Sequence, residues 1–266
     1  MGIAVYTALL LCAATSVRAQ EALDKERPLP DYFKACVRGR PDFDRCIMDS
    51  LNQCNHFFHT GVPEYNVPPF DPFFAKEVVQ KRGGNSLFYK LTLRDVIESG
   101  WARSKVIRFK SDPRNYRIRY TQWWPDKFLA GQYEFDGNMI QLPIDNKGQF
   151  NLTLYNYTQT TTLTRRPVLD EGGRFLRWAP IKVQINVLNS GDMALHISHL
   201  LGGRVIMENI LDRIINAAWR PGFFVLRTTI NDLVETAFTK IFNDGFKGFD
   251  LERVLPPPES ISNALS

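Results

Sequence analysis

Ile181-Lys182-Val183-Gln184-Ile185-Asn186-Val187 alternates apolar and polar side chains without a break. Successive residues of an extended chain point to opposite faces, so this stretch has one dry face and one wet face. That is the mark of an antiparallel sheet covered on one side only. Tyr116, Ile118 and Tyr120 alternate with Arg117 and Arg119 in the same way. The run Thr158 to Thr164, although of low complexity, is β-branched enough to make a strand. Working outward, sheet is expected over about Ser86 to Leu200, with turns at Asp112-Pro113, Asp136-Gly137, Asn146-Lys147-Gly148, Gly172-Gly173 and Ser190-Gly191.

Beyond the sheet the period changes. Leu226, Ile230, Leu233, Val234, Ala237, Phe238, Ile241 and Phe242 keep helical spacing, and Arg227, Asn231, Asp232, Glu235 and Lys240 take the other side. Burying those eight side chains contributes about 10–20 kcal/mol gross, before conformational entropy is subtracted. This helix therefore needs the sheet to cover it. A shorter helix, about Val205 to Trp219, precedes it. Ahead of the sheet, Asp42 can cap a helix whose stripe is Phe43, Ile47, Leu51, Cys54 and Phe58, stopped by Gly61 and Pro63.

The first residues bound the compartment. Ile3 to Ala14 is an apolar run too short to span a bilayer, and Val17-Arg18-Ala19 gives cleavage after Ala19. Residues 1–19 are thus expected to be a signal peptide, 20–254 a single domain, and 255–266, opening Leu255-Pro256-Pro257-Pro258, an extended tail. Without Arg18 the formal charge falls from +5 to +4, a mild excess that does not indicate nucleic acid. Cys12 leaves with the signal, so Cys36, Cys46 and Cys54 remain: one pair and one free thiol. Cys36–Cys46 is the expected pair, its small loop carrying Gly39 and Pro41, and such a loop contributes roughly 2.7 kcal/mol. Cys54, on the buried face of its helix, is expected to be an inert packed thiol.

Catalytic patterns are missing. There is no Gly-x-Ser-x-Gly, no phosphate-cradling glycine loop and no His-Glu-x-x-His, so no enzyme and no cofactor are expected. Cys54 and His56 project about 200° apart on a helix, and His196 and His199 have opposite strand parity, so no metal is expected either. The basic stretch Arg103, Lys105, Arg108, Lys110, Arg114, Arg117, Arg119 is interleaved with Phe109, Tyr116, Tyr120, Trp123 and Trp124, and reads as a solvated face of a secreted protein. Asn151-Leu152-Thr153 and Asn156-Tyr157-Thr158 are glycosylation acceptors. Lying five apart, only one faces solvent on a regular strand, and Asn151 is the one expected, because Phe150, Leu152 and Leu154 share the other parity.

Several segments, taken in order, resemble the insect takeout and juvenile-hormone-binding proteins. Cys36-Val37-Arg38 with Cys46-Ile47 resembles the cysteine pair of the takeout branch. Gly61-Val62-Pro63-Glu64 and Val67-Pro68-Pro69-Phe70-Asp71-Pro72 are close to its Gly-Ile-Pro and Pro-x-x-Asp-Pro signature. Gly131 to Gly137, Leu142-Pro143-Ile144 and Gly148 are similar to its central motif, and Leu201-Gly202-Gly203 with Asn216 and Trp219 to the entry of its last helices. Asn146, Ala218 and the absence of a proline near Thr228 depart from the pattern, and Cys54 is extra.

The resemblance implies an α+β fold in which a strongly curved antiparallel sheet wraps a long C-terminal helix and encloses an apolar tunnel for terpenoid or fatty ligands. The expected lining is Trp101, Phe128, Tyr133, Phe135, Ile140, Leu142, Val183, Ile185, Trp219 and Phe223, with Tyr133 or Trp219 fixing a ligand oxygen. The implied function is a secreted, extracellular carrier of a small lipophilic, juvenile-hormone-like ligand, in a group associated with circadian and feeding physiology. It has no stable membrane insertion and no nucleic-acid partner. The alternative is a secreted module that binds a protein or lipid surface through its basic stretch, without an internal ligand.

Overall fold

The computed structural model describes residues 27–83, 87–139, 142–200 and 204–245; the expected signal peptide 1–19 and tail 255–266 lie outside the described residues. The described residues fall into two compact units, 27–56 and 57–245.

In the first unit, α1 (Leu29–Phe33) and α2 (Phe43–Gln53) are joined by a loop that the Cys36–Cys46 disulfide closes. Tyr32, Phe33 and Ile47 are buried, and the Ser50 hydroxyl donates to the Tyr32 carbonyl at 2.6 Å. Asp42 stands at the N-cap of α2, but its carboxylate accepts from Arg40 at 3.3 Å instead of from a helix amide. The stripe expected to continue to Phe58 is broken by a 3₁₀ turn at Cys54–His56, after which the chain forms the short α3 (Phe57–Thr60). Burial pushes the Cys54 thiol up to about 12, as an inert thiol requires.

The second unit is an antiparallel sheet with helices. Its centre is the hairpin of β4 (Arg117–Met139) and β5 (Leu142–Thr164), each 23 residues long. Along the free edge of β4 lie β2 (Leu87–Ser99) and β3 (Lys105–Asp112). Along that of β5 lie β8 (Lys182–Asn189) and β9 (Asp192–Ile197). Between β5 and β8 come two short strands, β6 (Pro167–Leu169) and β7 (Phe175–Trp178), which pair only with each other. β1 (Phe73–Arg82) pairs with β2 at the outside. The chain ends in α4 (Val205–Ala217) and α5 (Trp219–Gly245).

Two expected turns fall inside strands. Gly137 lies in β4, where a Cβ would meet the Phe88 carbonyl oxygen at 2.6 Å; Gly148 lies in β5, where a Cβ would meet the Ser198 carbonyl oxygen at 2.4 Å. Both glycines permit close approach of neighbouring backbone and reverse nothing. Ser190-Gly191 is likewise a kink, because β8 and β9 both run antiparallel to β5, one after the other. Asp112-Pro113 and Gly172-Gly173 do turn the chain.

The strongly curved wrap expected above does not form: the sheet is not strongly curled. Sheets bend sharply where bulges interrupt pairing. Here the β4–β5 register does not shift between Arg117↔Thr164 and Met139↔Leu142, although Pro125 and Asn156 do not pair, and the bulges fall in the flanking pairs, between Arg94 and Ile97, between Val106 and Arg108 and between Thr158 and Gln159. What changes along the hairpin is which parity faces inward. Asn156 sits in the left-handed region at φ 49°; on one side of it Tyr157, Gln159 and Thr161 are buried, with Trp124 opposite Tyr157, and on the other the half-buried Leu154 lies opposite the buried Lys127. As a result both Asn151 and Asn156 are exposed, against the expectation of one.

Helix α5 holds the β8 edge by side chains. Asn231 accepts from the Val187 amide at 3.0 Å and Glu235 from the Ile185 amide at 3.3 Å. Asn243 accepts from the Ile181 amide at 2.7 Å and donates to the Ile181 carbonyl at 2.9 Å. Four helical residues rise about 6 Å and two strand residues about 6.6 Å, so helix and strand stay in step. On the β1 side, Arg82 donates to Thr229 at 2.8 Å and pairs with Asp232 at 3.5 Å.

Candidate ligand-binding site

Beneath α5 the sheet carries a closed aromatic core of Phe70, Trp101, Trp124, Tyr157, Val183, Ile185, Val187, Phe238 and Ile241. Its position is set by Asp71, whose buried carboxylate accepts from the Gly100 and Ala102 amides at 3.1 and 2.8 Å and so fixes the turn that presents Trp101. Inside this core lies a charge. The Lys127 ammonium is 4.9 Å from the Trp101 ring centroid, 4.7 Å from Trp124, 5.3 Å from Tyr157 and 5.4 Å from Phe238. Its counter-ion is Glu98, at 2.7 Å, and both side chains are buried. Ring faces attract a cation, and the carboxylate offsets part of its desolvation. Burial, and then the Glu98 charge, push the Tyr157 phenol above its usual range. The indole N–H groups of Trp101 and Trp124 are buried with no acceptor among the described residues.

The expected lining residues separate. Trp101, Val183 and Ile185 belong to the closed core, and Phe223 packs against it. Trp219 is buried and its ring meets Phe223 at 6.5 Å. Tyr133 is half-buried and donates to the Ser198 carbonyl at 2.8 Å, so its hydroxyl is already engaged. Burial, then the charge of Glu208, raise its phenol. Phe135 stacks on Tyr89 at 5.5 Å. Phe128 is exposed, because beyond the parity change Lys127 turns inward in its place. Ile140 and the side chain of Leu142 lie outside the described residues.

Lys127 and Glu98 went unnoticed in the sequence, where a lysine after Trp123-Trp124 in a basic stretch reads as solvated. The apolar face of α4 was missed as well. Asp212 and Asn216 point to the β9 edge: Asn216 accepts from the Leu195 amide at 2.7 Å and donates to its carbonyl at 2.8 Å, and Asp212 meets Ile197 and His196. Glu208, on the same stripe, is buried. The opposite face carries Ile206, Met207, Ile210 and Ile214, exposed by between 48% and 77%. Two surface grooves accompany these features. One, of about 320 Å³, is lined by Gln80, Arg82, Asp232 and Glu235; the other, of about 750 Å³, by Lys110, Arg114, Arg117 and Arg119. Both are polar and neither is the expected apolar tunnel.

The profile of the haemolymph juvenile hormone binding protein family matches residues 8–256. The chain belongs to that family. Its members bind lipophilic ligands. Among relatives, this member is similar to the circadian clock-controlled protein daywake of Drosophila melanogaster, 21% identical over 82% of this chain and 85% of daywake. It is 27% identical to a protein of Schistocerca gregaria named “Putative beta-carotene-binding protein”, over 50% of this chain and 53% of that one. Among solved structures, takeout 1 of Epiphyas postvittana superimposes with a TM-score of 0.53 at 18% identity, covering 76% of this chain and 92% of that one. That match concerns the fold. No helix among the described residues is long and apolar enough to cross a membrane.

Proposed function

We propose that this protein is an extracellular carrier of a small lipophilic ligand, made with a signal peptide cleaved after Ala19 and carrying glycans on Asn151 and Asn156. The observation that carries the reading is the bare apolar face of α4 in a member of a lipophile-binding family. Solvent-facing isoleucines at positions 206, 210 and 214 form one helical stripe. An apolar molecule laid along it removes that surface from water. Burying ~400–500 Å² of ligand gains about 10–12 kcal/mol gross at the usual area coefficient, and association costs leave micromolar to nanomolar binding. A terpenoid or fatty chain fits this chemistry, and the polyene in the locust relative's name belongs to the same class. Of the lining expected from the sequence, Trp101, Val183 and Ile185 serve the core and Phe223 packs against it, which leaves Tyr133, Phe135 and Trp219 as the expected contacts still to be tested.

Native mass spectrometry of the glycan-trimmed secreted protein, with organic extraction, tests this. A released apolar molecule of a few hundred daltons (the size such sites hold), absent from the Ile210→Asp, Ile214→Asp double variant, is expected. Protein that stays empty when offered terpenoids and fatty acids refutes the carrier reading.

A further inference from the structure

The β6–β7 hairpin is built to project. Its turn is knotted by Asp170, whose carboxylate accepts from the Gly172 amide at 2.9 Å, the Arg174 amide at 2.8 Å and the Arg174 side chain at 2.8 Å. The Arg174 amide and guanidinium hold that carboxyl below its usual range. A strand lying on a protein surface buries alternate residues. In β7 all four of Phe175, Leu176, Arg177 and Trp178 are exposed, as is Leu169 across the turn, with apolar exposures of 43–61%.

The hairpin is continuous with the larger of the two grooves. The Arg165 amide donates to the Tyr116 carbonyl at 3.1 Å, Tyr116 meets Trp178 edge-on at 6.3 Å, and Arg165 lies 5.9 Å from the Trp178 ring. Over Lys110–Arg119 and Arg165–Trp178 the chain carries Lys110, Arg114, Arg117, Arg119, Arg165, Arg166, Arg174 and Arg177 against Asp112, Asp170 and Glu171. That surplus of five matches the surplus of the whole chain, +5. Asp112 and Asp170 are moreover already paired with Arg117 and Arg174.

From this juxtaposition we infer that the β6–β7 hairpin and the adjoining basic groove form a docking site for an anionic phospholipid bilayer. A flat protein partner covers one side of a strand; β7 exposes Phe175, Leu176 and Trp178 on both of its faces, behind a turn that carries Asp170, Glu171 and Arg174, and a lipid interface takes in apolar side chains on either face with tryptophan and tyrosine at headgroup level. The arginines beside it then meet headgroup phosphates, to which guanidinium binds in bidentate fashion. Such contact is peripheral and reversible, and it rests on surface independent of the ligand reading, so either can fail alone.

The test uses the full secreted chain and phosphatidylcholine vesicles with and without phosphatidylserine, read by co-sedimentation over a salt series. Binding is expected only with phosphatidylserine, weakening as salt rises. Arg114→Gln with Arg119→Gln is expected to weaken it about tenfold or more, from the ~1 kcal/mol that each basic residue contributes near an anionic surface. Phe175→Ser with Leu176→Ser is expected to abolish sedimentation at moderate salt. Because the hairpin variant could lose its fold locally, quenching of tryptophan emission by brominated lipid in the otherwise native chain, lost in Trp178→Phe, is measured alongside. Equal binding to neutral vesicles, indifference to both variants, or no binding at low salt overturns the inference, and in the last case the surface is one for a protein.

Discussion

On α5, Asn231, Glu235 and Asn243 take amides of the β8 edge; on α4, Asp212 and Asn216 take those of β9. The motif is the same down to one detail, an asparagine that both accepts from and donates to a single residue of the edge: Ile181, just before β8, for Asn243, and Leu195 in β9 for Asn216. The remaining faces differ. Turned inward, α5 buries Phe238 and Ile241 over the sheet; α4 leaves Ile206, Ile210 and Ile214 to solvent. Polar edge-capping therefore places a helix along a sheet but does not decide whether its apolar side is structural. That is decided by whether sheet lies beneath it.

The largest expected effect separates the two helices directly. Phe238→Ala removes a buried ring that meets Trp101 at 5.7 Å and Phe242 at 6.2 Å, and is expected to cost about 3–5 kcal/mol in urea unfolding. Close behind is the charge that the α5 side encloses. Lys127→Met leaves Glu98 buried without its cation, at a cost of about 3–5 kcal/mol. Adding Glu98→Gln is expected to return most of that loss. A double variant no better than the single one would mean that the ring contacts to the ammonium, not the pairing, hold the core together.

Edge capping itself is expected to weigh the same on both helices. Asn216→Ala and Asn243→Ala each strip one edge residue of a donor and an acceptor, and each is expected to cost about 1–2 kcal/mol. A loss confined to Asn243→Ala would show that α4 is held on by something other than its polar stripe, which breaks the comparison.

Much of the α5 side was legible in the sequence, because both of its periods are local: Val183, Ile185 and Val187 at period two, Val234, Phe238 and Ile241 at helical spacing. The disulfide was legible from cysteine parity and loop size. Illegible features depend on distant neighbours. Gly137 and Gly148 carry turn chemistry, and only the approach of Phe88 and Ser198 shows why they sit in strands. The inward parity of β4 and β5 inverts about Asn156, which no period announces, and this exposes Phe128, buries Lys127 and opens both sequons. For α4 only the helix itself was legible: it carries stripes of opposite character, and which of them faces in is decided by the β9 edge that Asn216 and Asp212 meet.

The smallest expected effect is the most discriminating. Ile210→Ser on a conventional helix empties part of a core and costs a few kcal/mol; on a face already in water it changes stability by less than about 0.5 kcal/mol, within the range of ordinary surface substitutions. Urea midpoints of the ligand-stripped protein measure this against Phe238→Ala under one set of conditions. An unchanged midpoint leaves the stripe free for another occupant. The same variant measured with an apolar ligand in excess should then lose stabilisation that the native chain gains, since a ligand that binds only the folded state raises stability by RT ln(1 + [L]/Kd). Should Ile210→Ser instead destabilise the stripped protein as strongly as a core change, α4 packs its apolar face on the rest of the chain, and the contrast between the two helices disappears.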